Sequence, residues 1–226
     1  MSRLASTLAP TGALSARVVR APRGPGPWAT LAAGLPHPGL PREVFRYRVA
    51  NLPNLLRGFW RIALASLLRI HTMYGVVQAR VLRGSGEVVH LGVVSLRVVT
   101  TAGVNFIVDA FQNTTEVENL KYHGVGTGTT AEAVGDTALV TESTTVLNPD
   151  STRATGTTTE GASANIYRTV VTEPFDGSAP ITEHGIFSQA ATGGETLLDR
   201  SVFSAINVAN GDSIQFTYDL TLTAGS

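Results

Sequence analysis

The stretch Asp212–Thr223, DSIQFTYDLTLT, decides the fold class. In it Ile214, Phe216, Tyr218, Leu220 and Leu222 alternate with Gln215, Thr217, Asp219 and Thr221. Successive side chains of a strand point to opposite faces, so a period of two buries one face and wets the other. Asn210-Gly211 stands just before it, a dipeptide that favours a hairpin turn. Further strand-like runs fall at 120–125, 139–146, 152–159, 164–172, 181–188 and 196–206. Two more, 76–82 and 87–99, flank Arg83-Gly84-Ser85-Gly86, a hairpin turn by composition. Many short strands separated by turn residues predict a mainly β protein whose body is an antiparallel β-sandwich or barrel.

One of these strand-like runs opens Leu120–Leu139, LKYHGVGTGTTAEAVGDTAL. Gly124, Gly126 and Gly128 make it permissive in backbone angle, and Gly135-Asp136 closes it as a turn. A phosphate loop would need a Lys after the last glycine, and here Lys121, the chain's one lysine, precedes them. The third glycine comes one residue too early for a dinucleotide fingerprint, and no strand–helix–strand pattern surrounds it. The expected structure is a flexible crossing between sheets.

Two helices are predicted. Over residues 54–72, Leu55, Leu56, Phe59, Ile62, Ala63, Leu67 and Ile70 recur at helical spacing, with Arg57, Arg61 and Arg69 mostly on another face. The apolar run between arginines is too short to span a bilayer. A basic amphipathic helix can lie on a membrane surface, but packing in a subunit contact is the preferred reading, with Leu55, Phe59 and Trp60 as apolar anchors. A short helix over 102–112 can be capped by Thr101, with Val104, Ile107, Val108 and Phe111 on one side.

The zero net charge hides a division. Residues 1–100 carry 13 Arg against Glu43 and Glu87, whereas residues 101–226 carry Lys121, Arg153, Arg168 and Arg200 against 15 acids. Basic and acidic halves can pair head to tail between copies. Residues 1–53 hold eight of the eleven prolines, which disfavours helix and central strand. A transit-like segment, a linker and an extended basic arm lying on other subunits all fit this composition. The arm is the reading carried forward, with Arg17, Arg20, Arg23, Arg42, Arg46 and Arg48 as its contacts. An arm without a core loses about 1–2 kcal/mol of backbone entropy per ordered residue, so only a partner could offset its ordering. The expected organisation is arm 1–53, helical connector 54–75 and β domain 76–226.

No catalytic constellation emerges, so an enzyme is not expected. The chain has no Cys, which removes disulfides and thiolate metal sites. None of the five His stands at a ligand spacing, although His123 and His184 could meet in the fold, with Glu183 and Asp136 nearby. No G-x-S-x-G elbow is present, and the spacing of the acids singles out no carboxylate pair. The arm has enough Arg for phosphate contacts but few stacking aromatics, and the acidic half would repel nucleic acid. A glycan-binding surface would draw on Tyr122, Tyr167 and Phe175.

Residues 76–226 resemble small structural proteins of tailed bacteriophages. The resemblance rests on VVTTAGVNFIVDAF, LKYHGVGTGTTAEAVGDTALVTE, ITEHGIFSQA and LLDRSVFSAINVANGDSIQFTYDLTLT. It implies a virion component with a β-sandwich-like body, assembled in the host cytoplasm without a cofactor. Its partners would be copies of itself and a major capsid or tail protein. Head decoration or cement is the first expectation, and a tail tube, adaptor or fibre part the second.

Overall fold

The computed structural model describes residues 27–68, 73–193 and 195–222. It is mainly β, with two antiparallel sheets packed face to face. The strands are β1 (Met73–Leu82), β2 (Val88–Val98), β3 (Tyr122–Gly126), β4 (Ala154–Thr155) and β5 (Thr157–Glu160). They continue with β6 (Ile166–Pro174), β7 (Ala179–Phe187), β8 (Leu197–Val208) and β9 (Ser213–Leu222). One sheet runs β2-β1-β9-β6-β5 and the other β4-β3-β7-β8. Three helices join them: α1 (Pro27–Gly34), α2 (Arg42–Leu67) and α3 (Thr101–Phe111).

The alternation that predicted β9 is what places it at the centre of the five-stranded sheet, paired with β1 and β6. Ile214, Phe216 and Tyr218 are fully buried against Val125, Ile181, Ile186, Phe203 and Ile206 of the other sheet. The β1–β2 hairpin turns at the expected residues, with Gly86 at φ 89°. Asn210-Gly211 is a turn, Gly211 having φ 85°, but it carries the chain from β8 in one sheet to β9 in the other. It is therefore a link between layers and not a hairpin. The strand expected over 139–146 is irregular, touching β3 only through the bridge Gly126↔Glu142.

The N-terminal half departs most from expectation. Residues 27–34 and 42–53, assigned to an extended arm, are helical, and α2 runs through the anticipated boundary at 53/54. Two of the prolines mark helix starts and a third is carried inside a helix. Pro27 opens α1, Pro41 precedes α2, and Pro53 sits on the exposed side of α2. Both helices pack on the outer face of β1 and β2. Leu31, Leu55, Phe59 and Ile62 bury there against Tyr74, Val76, Val93 and Leu96. Gly58 makes this possible, since a Cβ at that position would collide with the carbonyl of Leu96. Strand β2 is thus covered on both faces, which explains its nearly continuous apolar sequence.

Two bulges in β2 fix where α2 sits. Against β1, the pairing skips Val94 and Leu91. A bulged residue leaves ladder groups unpaired, and α2 supplies partners for both. Arg48 Nε donates to Leu91 O at 3.0 Å and Asn51 Nδ2 donates to Val94 O at 2.8 Å. Asn51 Oδ1 also accepts from the Ser204 amide at 2.8 Å, tying α2 to β8. One turn of helix therefore satisfies two irregularities of a strand about 43 residues away.

Candidate functional site

The sequence-selected arm residues separate into three groups. Arg17, Arg20 and Arg23 lie outside the described residues. Arg42 and Arg46 are exposed on α2. Arg48 is buried and bonded to Leu91 and Leu35 of its own body, and Leu55 and Phe59 are core residues beneath α2. These last three are corrected from intersubunit contacts to internal ones, because burial within the chain leaves them nothing to offer a partner. Trp60 remains exposed, at 64%.

His123 and His184 do meet, on neighbouring strands β3 and β7. His123 Nδ1 lies 2.9 Å from His184 Nε2, and His123 Nε2 lies 3.2 Å from Thr169 Oγ1 across the sandwich. Burial, with the neighbouring imidazole, holds His123 well below its usual range, and burial pushes His184 down to about 3. Both rings are therefore neutral near pH 7, one donating to the other. They are bonded to each other and do not converge on a common point. No group of three or more His, Asp or Glu placed to hold a metal ion occurs among the described residues.

Glu183 and Asp136 turn elsewhere, to Arg200. Glu183, fully buried on β7, pairs with Arg200 on β8, Oε2 lying 2.8 Å from Nη2. Arg200 Nη1 donates to Asp136 Oδ2 and Nη2 to Thr130 O, each at 3.0 Å. The Glu183 carboxylate also accepts from the amides of Gly128 (3.0 Å), Val140 (3.1 Å) and Thr141 (2.7 Å). This explains the missing strand at 139–146, since the amides of Val140 and Thr141 are directed at a carboxylate. It also corrects the reading of the glycine run as a flexible crossing. Gly124 and Gly126 lie in β3, and none of the three glycines has positive φ. Their role is space. A Cβ at Gly128 would stand 2.5 Å from Glu183 Oε1, and one at Gly126 2.6 Å.

Three further internal ion networks follow the same logic. Arg153 grips Glu142 through Nε (2.6 Å) and Nη2 (3.0 Å), with its guanidinium 3.5 Å over the Phe187 ring. Arg97, buried on β2, holds Glu132 at 2.8 Å and donates to Asn54 O and Val202 O, both at 3.0 Å. Nearby, burial pushes the Asp199 carboxyl up to about 7, against the bond that Ser201 Oγ donates to its Oδ1 at 3.2 Å. Arg83 bonds Asp212 at 2.9 Å, closing the tip of the β1–β2 hairpin onto the β8–β9 link. The sequence carried a signal for the Glu183–Arg200 pair that was missed. In LLDRSVF, Asp199 and Arg200 sit inside an apolar run, and charges in a strand with both faces covered must find partners inside.

Among the residues presented outward are two apolar stripes. On α2, Trp60, Leu64 and Leu67 are 64%, 55% and 79% exposed, with Trp28 of α1 beside them through its contact with Phe59. Helix α3, capped by Thr100 and not by Thr101, turns its apolar stripe outward: Val104, Val108 and Phe111 are exposed, Phe111 at 85%. The aromatic set considered for glycan binding is not a platform. Phe175 is buried, and Tyr167 donates its hydroxyl to Leu120 O at 2.9 Å. No described helix is long and apolar enough to cross a membrane. Comparison with protein-family models, with curated proteins and with solved structures finds no match.

Proposed function

We propose that this chain is a non-enzymatic structural component of a tailed-phage virion, and that its place is on the head as a decoration or cement protein. The observation that carries the proposal is the direction of its charged groups. Glu183, Arg200, Arg153, Glu142, Arg97 and Glu132 are turned on one another and on backbone inside the body. Such locks stiffen a sandwich and organise the long segment between β3 and β4. The two most specific stretches of the resemblance supply Glu132, Glu183 and Arg200 of these: the glycine run with its following residues, and the β7–β8 pair. Exposed apolar faces on α2 and α3 are the surfaces a building block would cover in an assembly.

The burial of Arg48, Leu55 and Phe59 against their own sheet leaves the assembly contacts to these outer faces. A tail address belongs to the same class of role. Immunogold labelling of intact phage particles with antibody against the chain decides among these. Gold over the head supports decoration, gold over the tail moves the protein there, and unlabelled particles overturn the proposal.

A further inference from the structure

Two exposed apolar faces of this molecule carry opposite charge. On α2 the stripe Trp60, Leu64 and Leu67 is accompanied by exposed Arg57 and by Arg61, which stays half-exposed while reaching Glu132 Oε1 of its own body at 3.9 Å, and no acid lies between Arg57 and Leu68. On and just after α3 the stripe Val104, Val108 and Phe111 is accompanied by exposed Asp109, Glu116 and Glu118, and no Lys or Arg lies between Thr101 and Leu120. Residues spaced by three and four share a helix face, so each stripe is a continuous ridge. An apolar ridge rimmed by cations complements an apolar ridge rimmed by anions, since burial supplies affinity while the rim sets orientation and encounter.

We propose that the outer face of α2 docks on the outer face of α3 in a second copy of this chain. The contact joins unlike faces, and a head-to-tail contact of that kind closes into a ring or extends as a chain according to its rotation. The inference deepens the assembly reading above and rests on it only in taking the chain as a self-associating unit. An anionic membrane would also accept the basic apolar face of α2. It would leave the acidic apolar face of α3 without a partner, so the second copy accounts for both.

The test uses two full-length variants, Leu64→Asp and Phe111→Asp, at exposed positions outside the core; Leu67→Asp substitutes for the first should it misfold. Thermal melting by circular dichroism checks that each is folded. Sedimentation velocity then measures mass against concentration. The wild-type chain is expected to associate, and each variant alone to need roughly thirtyfold more protein to do so. Mixing the two variants is expected to restore a paired species, because one retains its α3 face and the other its α2 face. A wild-type chain that stays monomeric, variants that associate like wild type, or a mixture that does not pair would each overturn the proposal. So would Leu64-dependent binding to phosphatidylglycerol vesicles with no self-association. Self-association through these faces together with unlabelled particles would sink the virion role and leave the pairing. Labelled particles with a monomeric chain would do the reverse.

Discussion

Arg48 Nε donates to the carbonyl of Leu91 at 3.0 Å, and three residues on Asn51 repeats the arrangement with Val94 at 2.8 Å. The two acceptors are the two residues that β2 bulges out of its pairing with β1. Helix α2 is therefore held by polar bonds to a strand irregularity as well as by its apolar face. Removing a donor leaves a buried carbonyl unsatisfied, at about 1–3 kcal/mol. Arg48→Met is expected to cost about 2 kcal/mol. Asn51→Leu, which also orphans the Ser204 amide, is expected to cost about 3 kcal/mol. Urea unfolding of the isolated chain measures both. Values near zero would mean that α2 is not bound to its own body.

The Glu183–Arg200 pair organises a loop, so breaking it has a local signature. Losing one partner of a buried pair costs about 3–5 kcal/mol because the other charge is stranded. Arg200→Met is expected to fall in that range and to raise hydrogen exchange at Thr130 through Asp136. Glu183→Gln keeps the shape but weakens acceptance from Gly128, Val140 and Thr141. Amide exchange followed by mass spectrometry is expected to quicken at those three positions before the β9 core responds.

Gly128 is required for room, which a coupled pair of substitutions can separate from backbone angle. Gly128→Ala is expected to destabilise by about 2 kcal/mol through its clash with the Glu183 carboxylate. In a Glu183→Ala background the same change is expected to cost less than about 0.5 kcal/mol, giving a coupling of well over 1 kcal/mol. Equal costs in both backgrounds would assign the glycine to its backbone angle.

Buried groups of opposite kind set the pH profile. The folded chain refuses protons at His123 and His184, so stability is lost as pH falls below about 6.5, where the unfolded imidazoles take them up. Burial raises Asp199 to about 7 and Glu173 to about 8. The folded chain therefore holds two protons that the unfolded chain releases near pH 4, and stability is lost as pH rises toward 7–8. Between pH ~4.5 and ~6.5 the two counts cancel. The expected profile is a plateau there, falling on each side by up to roughly 2.7 kcal/mol per pH unit. His184→Leu with His123→Leu is expected to remove the acid-side slope belonging to these rings, as read by thermal melting across pH.

Much of the β body was legible because period two is a strong signal wherever one face is wet, as in β9, and because glycine and serine mark the β1–β2 turn. Of the helices before it, residues 54–67 of α2 were legible from their apolar spacing, whereas α1 and the first half of α2 were not. Prolines at 36, 38 and 41 hid the start of α2, since the same residue that breaks a helix interior suits its first turn. The single arginine that anchors α2 looked like its charged neighbours, and only the bulge opposite it makes Arg48 different. The meeting of His123 and His184 was legible as a possibility. Its chemistry was not, because only the register of β3 on β7 shows that the rings bond to each other, and only that of β7 on β8 brings Glu183 to Arg200.

The proposed role, reinforcement of a phage particle by this body, is tested most directly by add-back. Phage particles lacking the protein would be heated with and without the purified full chain, and released genome measured by a DNA-binding dye. The account predicts earlier genome release without the chain, recovery with wild type, and little recovery with Leu64→Asp. Particles equally heat-resistant with and without it would contradict the account.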